Sequence, residues 1–190
     1  MPKKSSAKPA RVVPKIHYTL QQEIKASPFS PMAQANCLYQ FKQVRNALAD
    51  LEFGDDPTDE SWRIVSDAIN LLETLVRHGE YPIKNESGLV VASHWPGCGV
   101  NVSVEMGDKA GLLQDAIDGM LKADELAKQG LPLRLDASGL VAVKAVLEDY
   151  IQALRVLPAR TMIRCHRATE IRLIRLYGEE AIKGSHILSR

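Results

Sequence analysis

The most recognisable chemistry in this chain lies in a row of arginines on one predicted helix. The segment 159–177 contains a single acid, Glu170. Its arginines are Arg160, Arg164, Arg167, Arg172 and Arg175. At about 100° per residue they fall within roughly a third of the helix circumference, and guanidinium groups form forked hydrogen bonds with phosphates and carboxylates. The row therefore predicts either an anion-binding face or a set of ion pairs with acids on neighbouring helices or a second subunit.

A second group of cations lies at the start of the chain. Residues 1–30 carry no acid before Glu23 and contain four prolines. The basic residues are Lys3, Lys4, Lys8, Arg11 and Lys15. This composition predicts a basic, flexible arm that forms no helix or core of its own. The arm would either lie along a phosphate backbone or an acidic partner, or serve only as a solubilising tail.

The third chemical group is the sequence around Trp95-Pro96-Gly97-Cys98-Gly99. His94 and Cys98 could ligate zinc only with further ligands, and the other adjacent Cys/His pair is Cys165-His166. Neither pair has a CxxC or HxxxH spacing, so we expect no metal and no cofactor. We interpret His94, Trp95 and Cys98 as a protein-binding tip if Trp95 is exposed, and as a rigid turn if Trp95 packs down.

Motifs of known catalytic sites are absent from the sequence. It contains no glycine-rich phosphate loop, GxSxG elbow or HExxH helix. The five histidines are scattered, without carboxylate partners at a fixed spacing. Because catalytic groups can converge in space from distant positions, an enzyme stays open. The pattern nevertheless favours a protein that is not an enzyme.

The best-specified helix is predicted over 59–78, and the rest of the fold must pack around it. Two adjacent apolar stripes, one with Trp62 and Ile69 and the other with Ala68 and Leu71, predict two neighbours in contact with this helix at once. A polar arc remains, which we expect to face water. It comprises Arg63, Ser66, Asp67, Asn70, Glu73, Thr74 and Arg77.

Further helices are predicted over 31–53, 108–128, 136–157 and 159–177, each ended by glycine or proline. Between 79 and 107, the apolar run 89–91 and the alternating run 100–104 predict a β-hairpin or extended flap. The expected fold is mainly α: a bundle of about five helices with this insertion. We divide the chain into the arm 1–30, the helical domain 31–178 and a tail 179–190.

Composition limits the class of protein further. The chain has 190 residues, of which 45% are hydrophobic, and a formal net charge of +1. That charge argues against a surface built entirely for nucleic acid. Three widely spaced cysteines and the lack of a membrane-spanning run predict a cytoplasmic protein. The broad apolar faces of several helices would suit a homodimer.

Several short motifs resemble a loose family of small helical proteins encoded by phages, prophages and mobile elements of proteobacteria. They are Thr58-Asp59-Glu60-Ser61-Trp62, Asp67-Ala68-Ile69-Asn70, Leu135-Asp136-Ala137-Ser138-Gly139-Leu140 and Ala168-Thr169-Glu170. The similarity covers residues 31–177 in order and spacing, and members often begin with a basic, proline-containing arm. It implies an accessory protein of a mobile element, without a named activity.

These features together predict a non-catalytic protein that binds a host or defence protein as a modulator or inhibitor. Its binding surfaces would be the tip around Trp95 and the arginine row. The alternative is a nucleic-acid-binding accessory or regulatory protein that uses the basic arm with Arg160, Arg164, Arg167 and Arg175. Binding of that kind must weaken steeply with salt.

Overall fold

The computed structural model describes residues 17–54, 57–77, 83–84, 90–91 and 102–178, with side chains at 17–54, 57–75 and 111–178. This part of the chain is mainly helical, which confirms the predicted helical bundle. The helices are α1 (Leu20–Lys25), α2 (Gln34–Phe53), α3 (Asp59–Arg77), α4 (Val102–Lys128), α5 (Ala137–Val156) and α6 (Ala159–Tyr177). Two short strands, β1 (Ile83–Lys84) and β2 (Val90–Val91), pair antiparallel, with Ile83 opposite Val91.

Helix α3 is the centre of the bundle. It begins at Asp59, where Thr58 Oγ1 accepts a hydrogen bond from the Ser61 N–H at 3.1 Å, as an N-cap residue does. The helix contacts α2, α4, α5 and α6. Ile69 and Leu72 are completely buried, and Trp62 packs into the same core. The two apolar stripes predicted for this helix are therefore both covered.

The polar arc of α3 does not face water, contrary to our expectation. The side chains that are buried are Arg63, Ser66, Asn70, Glu73 and Thr74. Ser66 and Thr74 donate to the Trp62 and Asn70 carbonyls at 2.8 and 3.0 Å. The physical reason for the burial is that these groups find polar partners inside the protein: Arg63 pairs with Glu60 and Asp67 of α3 itself. Helix α6 supplies Arg172 for Glu73 and Thr169 for Thr74.

Helices α4 and α5 approach most closely where two glycines face each other. A Cβ built on Gly119 would lie 2.7 Å from the Gly139 Cα. At the start of α5, Asp136 acts as N-cap and accepts from the Gly139 N–H at 2.8 Å. Gly139 thus donates the capping hydrogen bond and also permits the close crossing of the two helices.

The predicted β-hairpin is not shown. Strand β2 pairs with β1, and Val102 and Val104 of the predicted second strand belong to the first turn of α4. Helix propagation adds one hydrogen bond per residue after nucleation. A five-residue alternation next to a strong helix is therefore a weak strand signal. The tip residues His94, Trp95 and Cys98 lie outside the described residues.

The predicted arm also ends earlier than residue 30. Helix α1 forms inside it, where Thr19 and Gln22 make a reciprocal capping box. Residues 17–30 pack onto α6, and α2 begins at Gln34 rather than at residue 31. The expectation that residues 1–30 contain no helix is therefore wrong for 17–30. The arm cations, from Lys3 to Lys15, lie outside the described residues.

Candidate partner-binding surface on the last helix

The first feature of α6 is that another part of the chain already covers much of its arginine row. Residues 17–30, which we call the N-terminal strap, run antiparallel along this helix. His17 Nδ1 lies 2.7 Å from Glu170 Oε1 near one end. At the other end the Ser30 carbonyl accepts from the Ala159 N–H at 2.8 Å. The strap therefore spans about three turns of α6.

Arg160 holds the strap mainly by contacts with the backbone carbonyls of the strap. The guanidinium donates from Nε to the Ala26 carbonyl at 3.1 Å and from Nη2 to the Ile24 carbonyl at 2.9 Å. The Arg160 N–H donates to the Ser27 carbonyl at 3.0 Å. The N-cap of α6 is Pro158, which offers no side-chain acceptor. Strap carbonyls thus satisfy N–H groups that the first turn of a helix leaves without intrahelical partners.

Arg167 contributes a charged contact, because its Nη1 pairs with the Glu23 carboxylate. The two side chains are 25% and 17% exposed, so water screens this pair less than it would an open surface pair. Arg160 and Arg167 lie two turns apart on α6. One binds neutral carbonyls and the other a carboxylate, and both ligands come from the same short segment.

Aromatic packing anchors the strap near its first residue. The Tyr18 ring lies 5.2 Å from the His166 ring, tilted by 57°. Burial raises the pKa of Tyr18, while its hydrogen bond with Gln40 acts in the opposite direction. The Tyr150 hydroxyl donates to Gln40 Oε1 at 2.9 Å, which links the strap to α2 and α5. Tyr18 therefore connects the strap to the interior of the bundle.

The other arginines of the row differ from one another. Arg172 turns inward and donates from Nη2 to Glu73 of α3 at 2.8 Å. Close by, the Thr74 and Thr169 hydroxyls lie 2.7 Å apart. Arg164 is half-buried, and Arg175 is exposed. The row is therefore divided, since part of it binds the strap, part joins the core and part reaches solvent.

Apolar side chains reach solvent both on α6 and on α1 of the strap. On α6, Ile171 is 51% exposed and Ile174 is also exposed; both share an arc of α6 with Arg175. On α1, Leu20 is 55% exposed and Ile24 is 63% exposed, one turn apart. We call these five residues the α1–α6 surface. Arginine is enriched at protein-binding surfaces, and exposed apolar groups that form a contiguous patch mark such surfaces.

The side chains of Cys165 and His166 both pack against other parts of the protein. Cys165 is buried, and desolvation raises its pKa to about 11. The His166 ring lies against Tyr18. Within the described residues no three His, Cys, Asp or Glu side chains come together as a set that could hold a metal ion. Whether His94 and Cys98 approach this pair falls outside the described part of the chain.

Sequence reasoning did not identify the strap or the exposed isoleucines. The Thr19-Leu20-Gln21-Gln22 pattern is a capping-box sequence, and it could have revealed α1 inside the basic arm. Ile171 and Ile174 interrupt the arginine arc, which could have marked a mixed apolar and basic surface. Nothing in the sequence pairs Glu23 with Arg167, because that contact depends on the docking of two segments far apart in the chain.

Comparisons with known protein families, with curated proteins and with solved structures find no match to this chain. Among the helices that the structure describes, none has the length and apolar character needed to cross a membrane.

Proposed function

We propose that this chain is a non-catalytic accessory protein of a phage or mobile element that acts in the cytoplasm. It binds a host or defence protein and modulates or inhibits it. The observation that carries the proposal is the α1–α6 surface, where aliphatic side chains stay exposed beside Arg175. The resemblance of the short helical motifs to mobile-element proteins supplies the biological setting.

The chemistry of the α1–α6 surface defines the partner. Ile171 and Ile174 on α6 would be buried against apolar side chains, which releases about 25 cal/mol for each Å² removed from water. Arg175 would pair with a carboxylate at the edge of the contact. The partner is therefore a protein whose surface combines apolar groups with acids. The predicted tip residues His94, Trp95 and Cys98 would add a second contact.

The test uses one charged substitution inside the surface and a matched one outside it. Ile171→Asp introduces a carboxylate into the α1–α6 surface, whereas Val141→Asp does the same on α5, where Val141 is 67% exposed. A partner captured from a proteobacterial host is identified, purified and titrated against each variant by calorimetry. We expect Ile171→Asp to weaken binding at least tenfold, as is typical of an interface hot spot, and Val141→Asp to leave it unchanged.

Three results would overturn the proposal. The first is equal weakening by both substitutions, which would mean that charge acts without regard to position. The second is a wild-type dimer that Ile171→Asp dissociates in analytical ultracentrifugation, because the surface would then serve a second copy of the chain. The third is turnover of a nucleotide or nucleic acid that substitutions of core-lining polar residues abolish.

A second candidate function is nucleic-acid binding through Arg160, Arg164, Arg167 and Arg175, and the observation that favours it is the exposed side chain of Arg175. The arm cations, from Lys3 to Lys15, would add phosphate contacts. A mobility-shift assay at low and moderate salt tests this function, with the five arm cations replaced by glutamine as the comparison. Retardation that falls steeply with salt and with the replacement would support it. Retardation that changes neither with salt nor with the replacement of the arm cations would exclude this form of binding.

A further inference from the structure

The strap displays the kind of ligand that the arginine row of α6 recognises. Arg160 binds two peptide carbonyls, and the first N–H groups of α6 bind two more, from Ser27 and Ser30. Arg167 adds a carboxylate, that of Glu23. Each contact is one that a peptide supplies through its backbone or an acidic side chain. The arrangement is therefore complementary to a short peptide segment that places one carboxylate opposite Arg167.

We infer that Arg160 and Arg167, with the first turn of α6, form a binding site for a peptide segment of the partner protein that places one carboxylate opposite Arg167. The N-terminal strap occupies this site when the partner is absent. The inference rests on the proposed function, which supplies the partner, and it adds the chemistry of the partner segment. Binding then requires exchange of one peptide for another and leaves the bundle itself unchanged.

The strap is built to be exchanged at a low cost to the fold. Helix α1 has no buried residue, and Leu20 and Ile24 point to solvent. Apart from Tyr18, the described contacts of the strap with α6 are hydrogen bonds and ion pairs, which contribute modestly to stability in water. Segments with few buried apolar contacts open without global unfolding. The site can therefore become accessible while α3 stays packed.

A peptide ligand fits the observed spacing better than a phosphate does. Arg160 and Arg167 are separated along α6 by about 10 Å, which several residues of a peptide cover. A single phosphate group reaches one guanidinium and offers no row of carbonyls for the N–H groups of Ala159 and Arg160. Nucleic acid is accordingly an alternative outcome of the test rather than part of the inference.

The experiment opens the site in the full-length chain and supplies the strap as a separate molecule. The variant Tyr18→Ala/Glu23→Arg removes the aromatic anchor and places a cation against Arg167. The probe is a fluorescein-labelled peptide with the sequence of residues 17–30, followed by fluorescence anisotropy. In the wild-type chain the tethered strap competes at an effective concentration on the order of millimolar. We expect the opened variant to bind the peptide at least tenfold more tightly than the wild type does.

Two further substitutions in the opened variant locate the binding site. Arg167→Gln removes the carboxylate contact, and we expect it to weaken peptide binding at least tenfold. Arg45→Gln removes the same charge from an exposed position on α2 and should leave binding unchanged. Equal binding of the peptide to the wild type and the opened variant, or equal effects of the two substitutions, would overturn the inference. Tight binding of a duplex oligonucleotide by an opened variant that does not bind the peptide would also overturn the inference.

A measurement on the unmodified chain keeps the inference testable if the opened variant fails to fold. Hydrogen exchange followed by mass spectrometry compares the strap with α3. We expect strap amides to exchange at least a hundredfold faster than those of α3. Exchange of both segments at one common rate would mean that the strap leaves only on global unfolding, and the site would not be exchangeable. Loss of partner binding in Ile171→Asp is independent of this result, so the two proposals can fail separately.

Discussion

Replacing Gly119 by alanine should destabilise the bundle, although alanine is the better helix former. The added Cβ would lie 2.7 Å from the Gly139 Cα, and ordinary van der Waals contact begins at 3.4 Å, so the helices must separate by 0.7 Å. The obstacle is backbone, which cannot rotate away as a flexible side chain can. A radial gap of 0.5–1 Å costs about a quarter to a half of the attraction between the atoms involved.

The size of the effect follows from two opposing terms. Removing a glycine from a helix interior stabilises the folded state by about 0.5–1 kcal/mol. Overpacking at a close helix crossing costs about 1–3 kcal/mol. The free energy of unfolding of Gly119→Ala should therefore fall by about 1 kcal/mol, the difference between the midpoints of these two ranges. The loss would be larger if α5 shifts along its whole length, because α4 and α5 form an extensive contact.

Gly111 provides a matched control in the same helix. A Cβ at this position meets no atom within 4 Å, so Gly111→Ala gains helix propensity without overpacking. Its free energy of unfolding should rise by about 0.5–1 kcal/mol. Urea denaturation followed by circular dichroism at 222 nm measures both variants. If Gly119→Ala proves as stable as Gly111→Ala, the close crossing of α4 and α5 at the two glycines is refuted.

Three other predictions concern buried or capping groups. The substitutions Thr74→Val and Thr169→Val should each lower the free energy of unfolding by about 1 kcal/mol. Because the two hydroxyls lie 2.7 Å apart, the double variant should lose less than the sum of the two single losses. Additive losses in urea denaturation would exclude this coupling. The pKa of Asp136 is lowered from 3.8 to about 2, first by its hydrogen bond from Lys122. The stabilising contribution of the Asp136 carboxylate is therefore present above pH 4 and lost as pH falls toward 2. The difference in free energy of unfolding between the wild type and Asp136→Ala should shrink over that range, and a difference independent of pH would contradict this. Burial and a pKa raised to about 11 should protect Cys165 from iodoacetamide at pH 8 until the chain unfolds, and peptide mapping that finds rapid labelling of the native protein would refute the burial.

The sequence predicted the larger helices well because their apolar spacing is a local property. Helix α6 runs from Ala159 to Tyr177, as the pattern indicated, and α3 begins at Asp59 with Thr58 as its cap. Proline and glycine ended the predicted helices near their observed limits. The beginning of α4 was less predictable, because the alternating residues 102–104 fit either a strand or a helix.

The candidate surfaces were only partly predictable. The arginine row was visible from its spacing, yet its partners depend on which segments dock onto α6. Arg160 and Arg167 contact the strap, whereas Arg172 contacts Glu73 in the interior. A hydropathy pattern reports how each side chain interacts with water, and it carries no information on which distant group will replace that water.

The central helix α3 shows most directly what the sequence determined and what the tertiary structure decided. Sequence alone established that Trp62, Ile69 and Leu72 belong to a core, since apolar surface must leave water in any compact arrangement. Only the tertiary structure decided that Glu73 and Thr74 are buried as well. The reason is that burial of a polar group depends on a partner, and here Arg172 and Thr169 of α6 provide it.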